Sequence, residues 1–234
     1  MTLKLIYDFC NPFRIISKSN IKASLCGIQY AQNVLDLGCG RAVLKNFFIN
    51  LGINYYGADI MSSDNVDFLI SENGDLINCE LQFDLIYSSD VLQHVKDKKM
   101  FFYIIDNYLK EGGHLIIDIP FIYPECDFED YFRWTKSGII NELKSENFIV
   151  VSCLQRGGAL FAIIALIFGT LKNLIVGERK KWRNNNYIWK SFLLLLVDVI
   201  FFPILFVAYI FDKIINLRGT YFGVTIFAQK EGIK

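Results

Sequence analysis

The sequence predicts an α/β fold in which helices flank one mostly parallel β-sheet. Short apolar runs rich in β-forming residues alternate with helical stretches from Asn33 onwards, which is typical of βαβ units. A glycine-rich turn follows the first run, and two long apolar stretches precede the last one. With 234 residues, the chain is long enough for one such domain and one elaboration.

Seven strands and three main helices account for most of the chain. The strands are predicted at 33–38, 54–59, 66–70, 83–88, 114–119, 147–154 and 221–229. The helices are predicted at 42–51, 97–110 and 136–146, and the last two end near Gly112 and Asn147, as helix stops should. The first 32 residues show no sharp pattern, although 21–32 is compatible with a helix leading into the first strand.

The overall composition limits the classes of function. Because 24 basic residues balance 24 acidic ones, the net charge gives no reason to expect a nucleic-acid partner. Six cysteines occur without a Cys-x-x-Cys pair or a Cys/His cluster, which predicts no metal site and reduced thiols. The N-terminus shows no secretory signal, so we expect the protein on the cytoplasmic side.

The turn after the first strand is a candidate cofactor site. The run VLDLGCG at 34–40 leads from a strand into a helical stretch, and Gly38 and Gly40 let a ligand approach the backbone. The Asp36 carboxylate would repel a pyrophosphate but suits the ammonium and sulfonium groups of S-adenosylmethionine. Val43 stands where the dinucleotide pattern has its third glycine, which disfavours a nicotinamide oxidoreductase.

A second candidate element is the end of the next strand. The run YYGAD at 55–59 places Asp59 19 positions after Gly40, where an acid accepts hydrogen bonds from ribose hydroxyls. Nicotinamide and adenosyl cofactors share this requirement. The combination of Asp59 with Asp36 favours the adenosyl cofactor.

These runs, together with FDLIYSSDVLQHV at 83–95 and LKEGGHLIIDIP at 109–120, resemble class I S-adenosylmethionine-dependent methyltransferases over residues 30–155. The resemblance implies a Rossmann-like seven-stranded sheet whose last strand is antiparallel. It also implies that Asp59 holds the ribose and that Glu72 or Asp75 lies near the adenine. The predicted cofactor-binding residues are Asp36, Gly38, Cys39, Gly40, Asp59, Ile60, Glu72, Asp75, Tyr87 and Ser88.

A more specific resemblance lies downstream, in PFIYP at 120–124 and DYFRWT at 130–135. It is similar to methyltransferases of bacterial surface-polysaccharide gene clusters, whose members often carry a histidine between these two runs. Here an acid would serve as the base, and the predicted catalytic residues are Glu125, Asp127, Glu129 and, after the fourth strand, His94. The predicted substrate-binding residues are Tyr123, Tyr131, Arg133 and Trp134. Alternatively, the acids are solvated or pair with Arg133, the aromatic residues pack the loop, and His94 only begins a helix.

Two apolar stretches, 159–176 and 191–211, form an insert before the last strand. Each approaches the ~20 residues that span a bilayer. One crossing would separate the last strand from its sheet, and two would place the connector 172–190, of net charge +5, outside. We therefore expect a helical hairpin in the inner leaflet with its connector on anionic headgroups. The alternatives are a homodimer interface or packing onto the domain.

The domain division and the function follow from these features. Residues 1–158 and 217–234 are expected to form the methyltransferase domain, and 159–216 the insert. The predicted function is O-methylation of a saccharide or lipid-linked glycan by an enzyme peripheral or monotopic at the inner face of the membrane. The alternatives are methylation of a quinone or lipid headgroup, a non-catalytic cofactor-binding adaptor and, least favoured, a nicotinamide oxidoreductase.

Overall fold

A computed structural model describes residues 11–26, 31–125, 129–176, 188–215 and 219–232 of the chain. Seven strands belong to one sheet. They are β1 (Asn33–Leu37), β2 (Asn54–Asp59), β3 (Phe68–Leu69), β4 (Phe83–Ser89), β5 (Leu109–Pro120), β6 (Phe148–Gln155) and β7 (Gly223–Lys230). The helices are α1 (Pro12–Leu25), α2 (Lys45–Ile49), α3 (Lys98–Tyr108), α4 (Lys136–Ser145), α5 (Ala159–Val176) and α6 (Ile188–Ile215), with a short 3₁₀ helix at Leu92–His94.

The sheet has the spatial order β3-β2-β1-β4-β5-β7-β6. Only β7 runs antiparallel to its neighbours, β5 and β6, which confirms the predicted seven-stranded sheet with an antiparallel last strand. Within this sheet Asp36 of β1 is in register with Gly57 of β2 and with Tyr87 of β4. The carboxyl ends of β1, β2 and β4 therefore lie side by side, as ligand sites of open α/β sheets require.

The helix expected at 21–32 begins earlier and ends earlier than predicted, at Pro12 and Leu25. Asn11 caps it, because its side-chain oxygen accepts a hydrogen bond from the Phe13 N–H at 3.0 Å and proline fits the first helical position. The weak apolar periodicity of this segment hid the helix, although the Asn-Pro start signal is present in the sequence.

The boundary between α3 and β5 also differs from the prediction of a helix through residue 110. The helix ends at Tyr108, and Leu109 already pairs with Phe83 in the sheet. Leu109 is buried. Gly112 adopts a φ of +68° in the part of β5 where the pairing with β4 shifts register. Burial of an apolar strand end against β4 thus prevailed over the helix-stop pattern at the glycines. The predicted helix at 42–51 similarly shortens to α2 behind a series of turns.

The insert contains the two predicted helices, α5 and α6, which pack against each other and against α1. The Asp212 carboxylate of α6 accepts hydrogen bonds from the first N–H groups of α5, at 3.0 Å from Leu160 and 2.9 Å from Phe161. The Lys172 ammonium of α5 pairs with Asp198 of α6 at 2.8 Å. Two buried carboxylates therefore fix the hairpin.

The outer faces of the insert remain apolar and exposed. Leu174 and Ile214 are each 75% exposed and Phe192 is 68% exposed. Of the described helices, the stretch Ser191–Ile215 is long and apolar enough to cross a bilayer, and Ala159–Ile175 is a shorter apolar helix. Length and composition alone also suit a helix packed on a soluble protein.

Candidate functional site

The glycine turn brings three peptide N–H groups to the ends of β1 and β2. The N–H groups of Gly38 and Cys39 donate to the Ala58 carbonyl at 2.8 and 3.0 Å, and the N–H of Gly40 donates to an Asp59 carboxylate oxygen at 2.8 Å. Gly38 has a φ of +78°, and a Cβ there would overlap with the Val91 side chain. Only glycine fits this position, because both the conformation and the space exclude a side chain.

Asp36 is buried beneath this turn, with 5% of its surface exposed. Its carboxylate accepts a hydrogen bond from the Tyr55 hydroxyl at 2.6 Å. Burial, with a smaller contribution from the Asp59 charge, raises the pKa of Asp36 to about 7 despite this hydrogen bond. A buried carboxyl group at the edge of ionisation is a favourable partner for a cationic ligand.

Cys39 lies between the acidic groups of the site. Its thiol pKa is raised to about 12 by burial and by the charges of Asp36, Asp59 and Asp67. The side chain packs against Gly57, where a Cβ would approach the sulfur to 2.8 Å. The neighbouring carboxylates suit the ammonium and sulfonium groups of S-adenosylmethionine.

Asp59 joins the glycine turn to the end of β2. One carboxylate oxygen accepts from Gly40 and the other accepts from the Met61 N–H at 3.1 Å. Each oxygen retains a second lone pair for a ribose hydroxyl. Ile60 and Met61, which follow, are 71% and 73% exposed and offer an apolar surface beside that position.

A cavity of about 320 Å³ opens beside these groups. Of the predicted cofactor residues it is lined by Asp36, Gly38, Cys39 and Tyr87. The further lining residues are Asn11, Phe13, Arg14 and Ser17 of the N-terminal region, Arg41, Val43 and Leu44 after the turn, and Ser89, Asp90 and Arg156. The carboxylate, the bare backbone and the size of the cavity fit S-adenosylmethionine.

Six of the predicted cofactor residues do not line this cavity. Gly40, Asp59 and Ile60 lie beside it at the ends of β1 and β2, and the other three lie elsewhere. Ser88 is fully buried, and its hydroxyl donates to the Leu37 carbonyl at 2.9 Å, so it ties β4 to β1 beneath the cavity. Glu72 and Asp75 are exposed in the loop after β3. Asp75 accepts from the Tyr103 hydroxyl of α3 at 3.5 Å, and neither acid lines the cavity.

Sequence analysis missed the ion pair between Arg156 and Asp90. The buried Arg156 guanidinium, at the end of β6, donates to both carboxylate oxygens of Asp90, at 2.7 and 3.1 Å. The nearby carboxylates of Asp90 and Asp118 hold the pKa of Arg156 above its ordinary value, although burial acts in the opposite direction. The pair joins segments 66 residues apart, and no local pattern signals such a contact.

A second cavity of about 200 Å³ adjoins the first, because Phe13, Asp90 and Arg156 line both. Its other lining residues are Gln93, His94, Pro120, Tyr123, Asp130, Arg133 and Phe222. The cavity thus combines three aromatic rings with several polar and charged groups. Because it adjoins the candidate cofactor cavity, it is a candidate acceptor site.

The structure distributes the predicted catalytic residues unequally. His94 lines the acceptor cavity, and its Nδ1 lies 2.8 Å from the Glu129 carbonyl oxygen. Glu125 and Glu129 are exposed and line neither cavity, and Glu125 contributes its carbonyl oxygen to Asn173 of α5. Asp127 lies outside the described residues.

The predicted substrate residues also separate into two groups. Tyr123 and Arg133 line the acceptor cavity, and Arg133 forms a two-pronged ion pair with Asp130. Trp134 is buried and packs on Phe132 at a ring distance of 5.2 Å, as part of the main core. Tyr131 is 39% exposed, and its N–H donates to the Gln93 carbonyl at 2.8 Å.

Comparisons with known proteins agree with this geometry. The family described as a methyltransferase domain matches residues 16–143, more than half of the chain. Malonyl-[acyl-carrier protein] O-methyltransferase 2 from Ilyobacter polytropus is 28% identical over 141 residues, which are 53% of this chain and 52% of that protein. The chain therefore spans about half the length of this curated relative.

Solved structures share the fold at low sequence identity. A S-adenosylmethionine-dependent methyltransferase from Clostridium acetobutylicum is 13% identical with a TM-score of 0.53, covering 94% of this chain and 92% of the other. A phosphoethanolamine N-methyltransferase from Haemonchus contortus, solved with S-adenosylhomocysteine, is 16% identical with a TM-score of 0.55, over 93% and 53%. The [4+2]-cyclase SpnF has the same fold, at 12% identity and a TM-score of 0.58 over 92% and 81%. Together, the family match, the sheet order and the cofactor site show that the chain belongs to the S-adenosylmethionine-dependent methyltransferases.

Proposed function

We propose that the protein transfers the methyl group of S-adenosylmethionine to a hydroxyl of a saccharide carried by a lipid-linked glycan at the membrane surface. The observation that carries the proposal is the acceptor cavity, which adjoins the cofactor cavity and borders the insert helices. Methyl transfer is an in-line displacement: the S–CH₃ bond breaks while the O–CH₃ bond forms, and S-adenosylhomocysteine leaves. The protein supplies alignment, exclusion of water and a group that takes the hydroxyl proton.

His94 is the best-placed group for that proton. Because a carbonyl oxygen can only accept, the contact with Glu129 makes Nδ1 the donor and leaves a lone pair on Nε2 of the neutral ring. The same contact orients the ring in the cavity wall. The other carboxylates of the cavity, on Asp90 and Asp130, are held in ion pairs with the guanidinium groups of Arg156 and Arg133.

The lining of the acceptor cavity supports a sugar ring. The aromatic rings of Phe13, Tyr123 and Phe222 offer apolar faces, while Gln93 and His94 offer hydrogen-bond acceptors. A volume of about 200 Å³ lies below the ~300–1,000 Å³ typical of drug-sized ligands and suits one small ring rather than a long apolar molecule.

The position of the insert supports a membrane-bound acceptor. Phe13, Tyr123 and Phe222 of the acceptor cavity pack in the same apolar cluster as Phe161 and Phe168 of α5. The insert therefore packs next to residues of the acceptor cavity, and its other faces are apolar and exposed. Lys and Arg between the two helices complement anionic headgroups, which supports an inner-leaflet location.

The first experiment is a calorimetric titration with S-adenosylmethionine and S-adenosylhomocysteine, with NADH as the control ligand. We expect saturable binding of both adenosyl ligands, weakened about tenfold or more in Asp59→Ala, which loses the ribose acceptor. Glu72→Ala, an exposed acid outside the cavity, is the matched control. Binding of NADH alone would contradict the proposal. Release of S-adenosylhomocysteine with lipid-linked oligosaccharides, and not with quinones or malonyl carriers, would establish the acceptor class.

A further inference from the structure

Gln93, which lines the acceptor cavity, carries a buried acceptor that no described residue satisfies. The side-chain oxygen Oε1 of Gln93 is buried without a hydrogen-bond partner, and the residue is 3% exposed. Buried polar atoms are nearly always paired, because an unpaired one loses its hydrogen bonds to water without replacement. Since Gln93 also lines the acceptor cavity, a donor group on the ligand is a candidate partner for this oxygen.

The backbone holds Gln93 firmly in this position. The residue sits in the 3₁₀ turn, closed by the His94 N–H donating to the Val91 carbonyl at 2.8 Å. On the opposite side, the Gln93 carbonyl accepts from the Tyr131 N–H, also at 2.8 Å. The segment is thus anchored from both sides, which fixes the backbone from which the Gln93 side chain extends.

The donors of the surrounding protein are already directed elsewhere. The Arg156 guanidinium makes two hydrogen bonds to Asp90, and the Arg133 guanidinium contacts Asp130 and the Phe132 carbonyl. Gln93 and His94 are neighbouring residues in the lining of one cavity, and each carries a hydrogen-bond acceptor.

We propose that Gln93 determines the specificity for the acceptor: its Oε1 accepts a hydrogen bond from a hydroxyl adjacent to the one that His94 deprotonates. The preferred substrate is accordingly a vicinal diol on a sugar ring. This inference rests on the proposed function and names its substrate class. An ionised carboxylate or a quinone carbonyl has no proton to offer Gln93, so such acceptors leave the buried oxygen unpaired.

The test compares the wild type with Gln93→Met, which keeps the side-chain length but removes the amide oxygen. Gln93→Glu, which keeps an acceptor oxygen, serves as the matched control. The probes are octyl glycosides of glucose, galactose, mannose and rhamnose, with their monodeoxy analogues, below their micelle concentrations. Dissociation constants are measured by ligand-observed NMR with S-adenosylhomocysteine bound, so the readout does not need turnover.

We expect the wild type to bind at least one intact diol about tenfold or more tighter than the analogue lacking the neighbouring hydroxyl. Gln93→Met should reduce this ratio to about twofold or less, and Gln93→Glu should largely retain it. Unchanged S-adenosylhomocysteine binding and thermal unfolding would show that the variants are folded.

Three results would overturn the inference. A Gln93→Met variant that keeps the wild-type ratio would remove the role of Gln93 and leave the proposed methyl transfer intact. Equal affinity of the wild type for diols and deoxy analogues would likewise exclude the role of Gln93 and leave the proposed methyl transfer intact. Binding of none of the glycosides by a protein that still binds S-adenosylhomocysteine would exclude the saccharide class, whereas loss of S-adenosylhomocysteine binding would refute the methyltransferase activity itself.

Discussion

At the scale of single residues, Asp36 is a buried carboxyl group in the candidate site for a cofactor that carries positive charge. Because burial raises its pKa to about 7, the carboxyl group of the free protein is mostly protonated below this pH. The sulfonium and ammonium of the cofactor favour the ionised form, so binding displaces a proton. The affinity for S-adenosylmethionine should therefore increase with pH through this range.

We expect the dissociation constant for S-adenosylmethionine to fall about tenfold between about pH 6 and about pH 8 and then to level off. Calorimetry in buffers of different ionisation enthalpy measures both the affinity and the proton released. Tyr55→Phe removes the hydrogen bond that stabilises the carboxylate, so the rise should move to higher pH. A pH-independent affinity would show that Asp36 is already ionised.

A comparison of the two glycines of the cofactor turn distinguishes the cost of backbone strain from the cost of steric overlap. Gly38 and Gly40 both have positive φ, +78° and +51°, but only at Gly38 would a Cβ meet another side chain. We expect Gly40→Ala to lower the free energy of unfolding by ~1–2 kcal/mol, and Gly38→Ala by ~3–4 kcal/mol because overlap with Val91 is added. Urea denaturation measures both changes. Equal losses would contradict the steric argument.

His94 and the acidic loop make different predictions about the base. His94→Gln should lower kcat ~10²–10⁴-fold while leaving the S-adenosylmethionine affinity within about twofold, because only proton transfer is lost. Glu129→Ala should have little effect, since its backbone carbonyl, not its side chain, contacts the imidazole. Rates of S-adenosylhomocysteine release with the glycan acceptor decide between them. A larger loss of kcat in Glu129→Ala than in His94→Gln would identify Glu129 as the base.

Among these residues, the sequence alone predicted those that follow strand ends. Asp36, Gly38 and Cys39 line the cofactor cavity because strand register brings loop residues after parallel strands to one edge. Arg156 and Phe13 could not be predicted in this way. They reach the site from β6 and α1, through contacts between segments distant in the chain.

At the scale of elements, Asp212 is one of the two buried carboxylates that fix the hairpin α5–α6. Asp212 accepts hydrogen bonds from the N–H groups of Gly158, Leu160 and Phe161, and a Cβ at Gly158 would collide with it. The apolar runs predicted both helices, with α5 at 159–176 as expected. Their mutual fixation could not be predicted, because the isolated Asp212 in an apolar stretch carries no local signal of its partner.

We expect Asp212→Ala to destabilise the protein by ~3 kcal/mol and to increase hydrogen exchange in α5 more than in the central sheet. Asp97→Ala is the matched control: Asp97 caps α3 from an exposed position with one hydrogen bond, to Lys99 at 3.0 Å, and its loss should cost ~1 kcal/mol. Similar effects of the two substitutions would show that the three bonds of Asp212 add little.

At the scale of the whole molecule, the fold was predictable because each level of the sequence agrees with the others. Alternating strands and helices, the glycine turn after β1 and the apolar insert before β7 all specify the same sheet. The role of the insert was not predictable, because an apolar helix suits a lipid surface, a second copy of the chain or the domain itself. The structure buries one face of the insert against α1 and leaves the other exposed.

The exposed apolar face of the insert predicts that the protein binds membranes. Phe192 and Val199 lie on the outer side of α6, 68% and 62% exposed. We expect the protein to float with vesicles of phosphatidylcholine and phosphatidylglycerol, and to bind pure phosphatidylcholine more weakly because basic residues of 172–190 lose their anionic partners. Raising the salt concentration should reduce the difference between the two vesicles.

The double variant Phe192→Glu, Val199→Glu should bind vesicles about tenfold or more weakly than the wild type. Each of the two apolar side chains contributes ~1.5–3 kcal/mol when it is buried in the bilayer. Ile149→Glu, on the 52% exposed residue of β6, is the matched control and should bind as the wild type does. Size-exclusion chromatography distinguishes the alternative occupant. If the wild type does not bind vesicles and is a dimer that becomes a monomer in the double variant, the exposed face joins two copies of the chain. In that case the acceptor need not reside in the membrane.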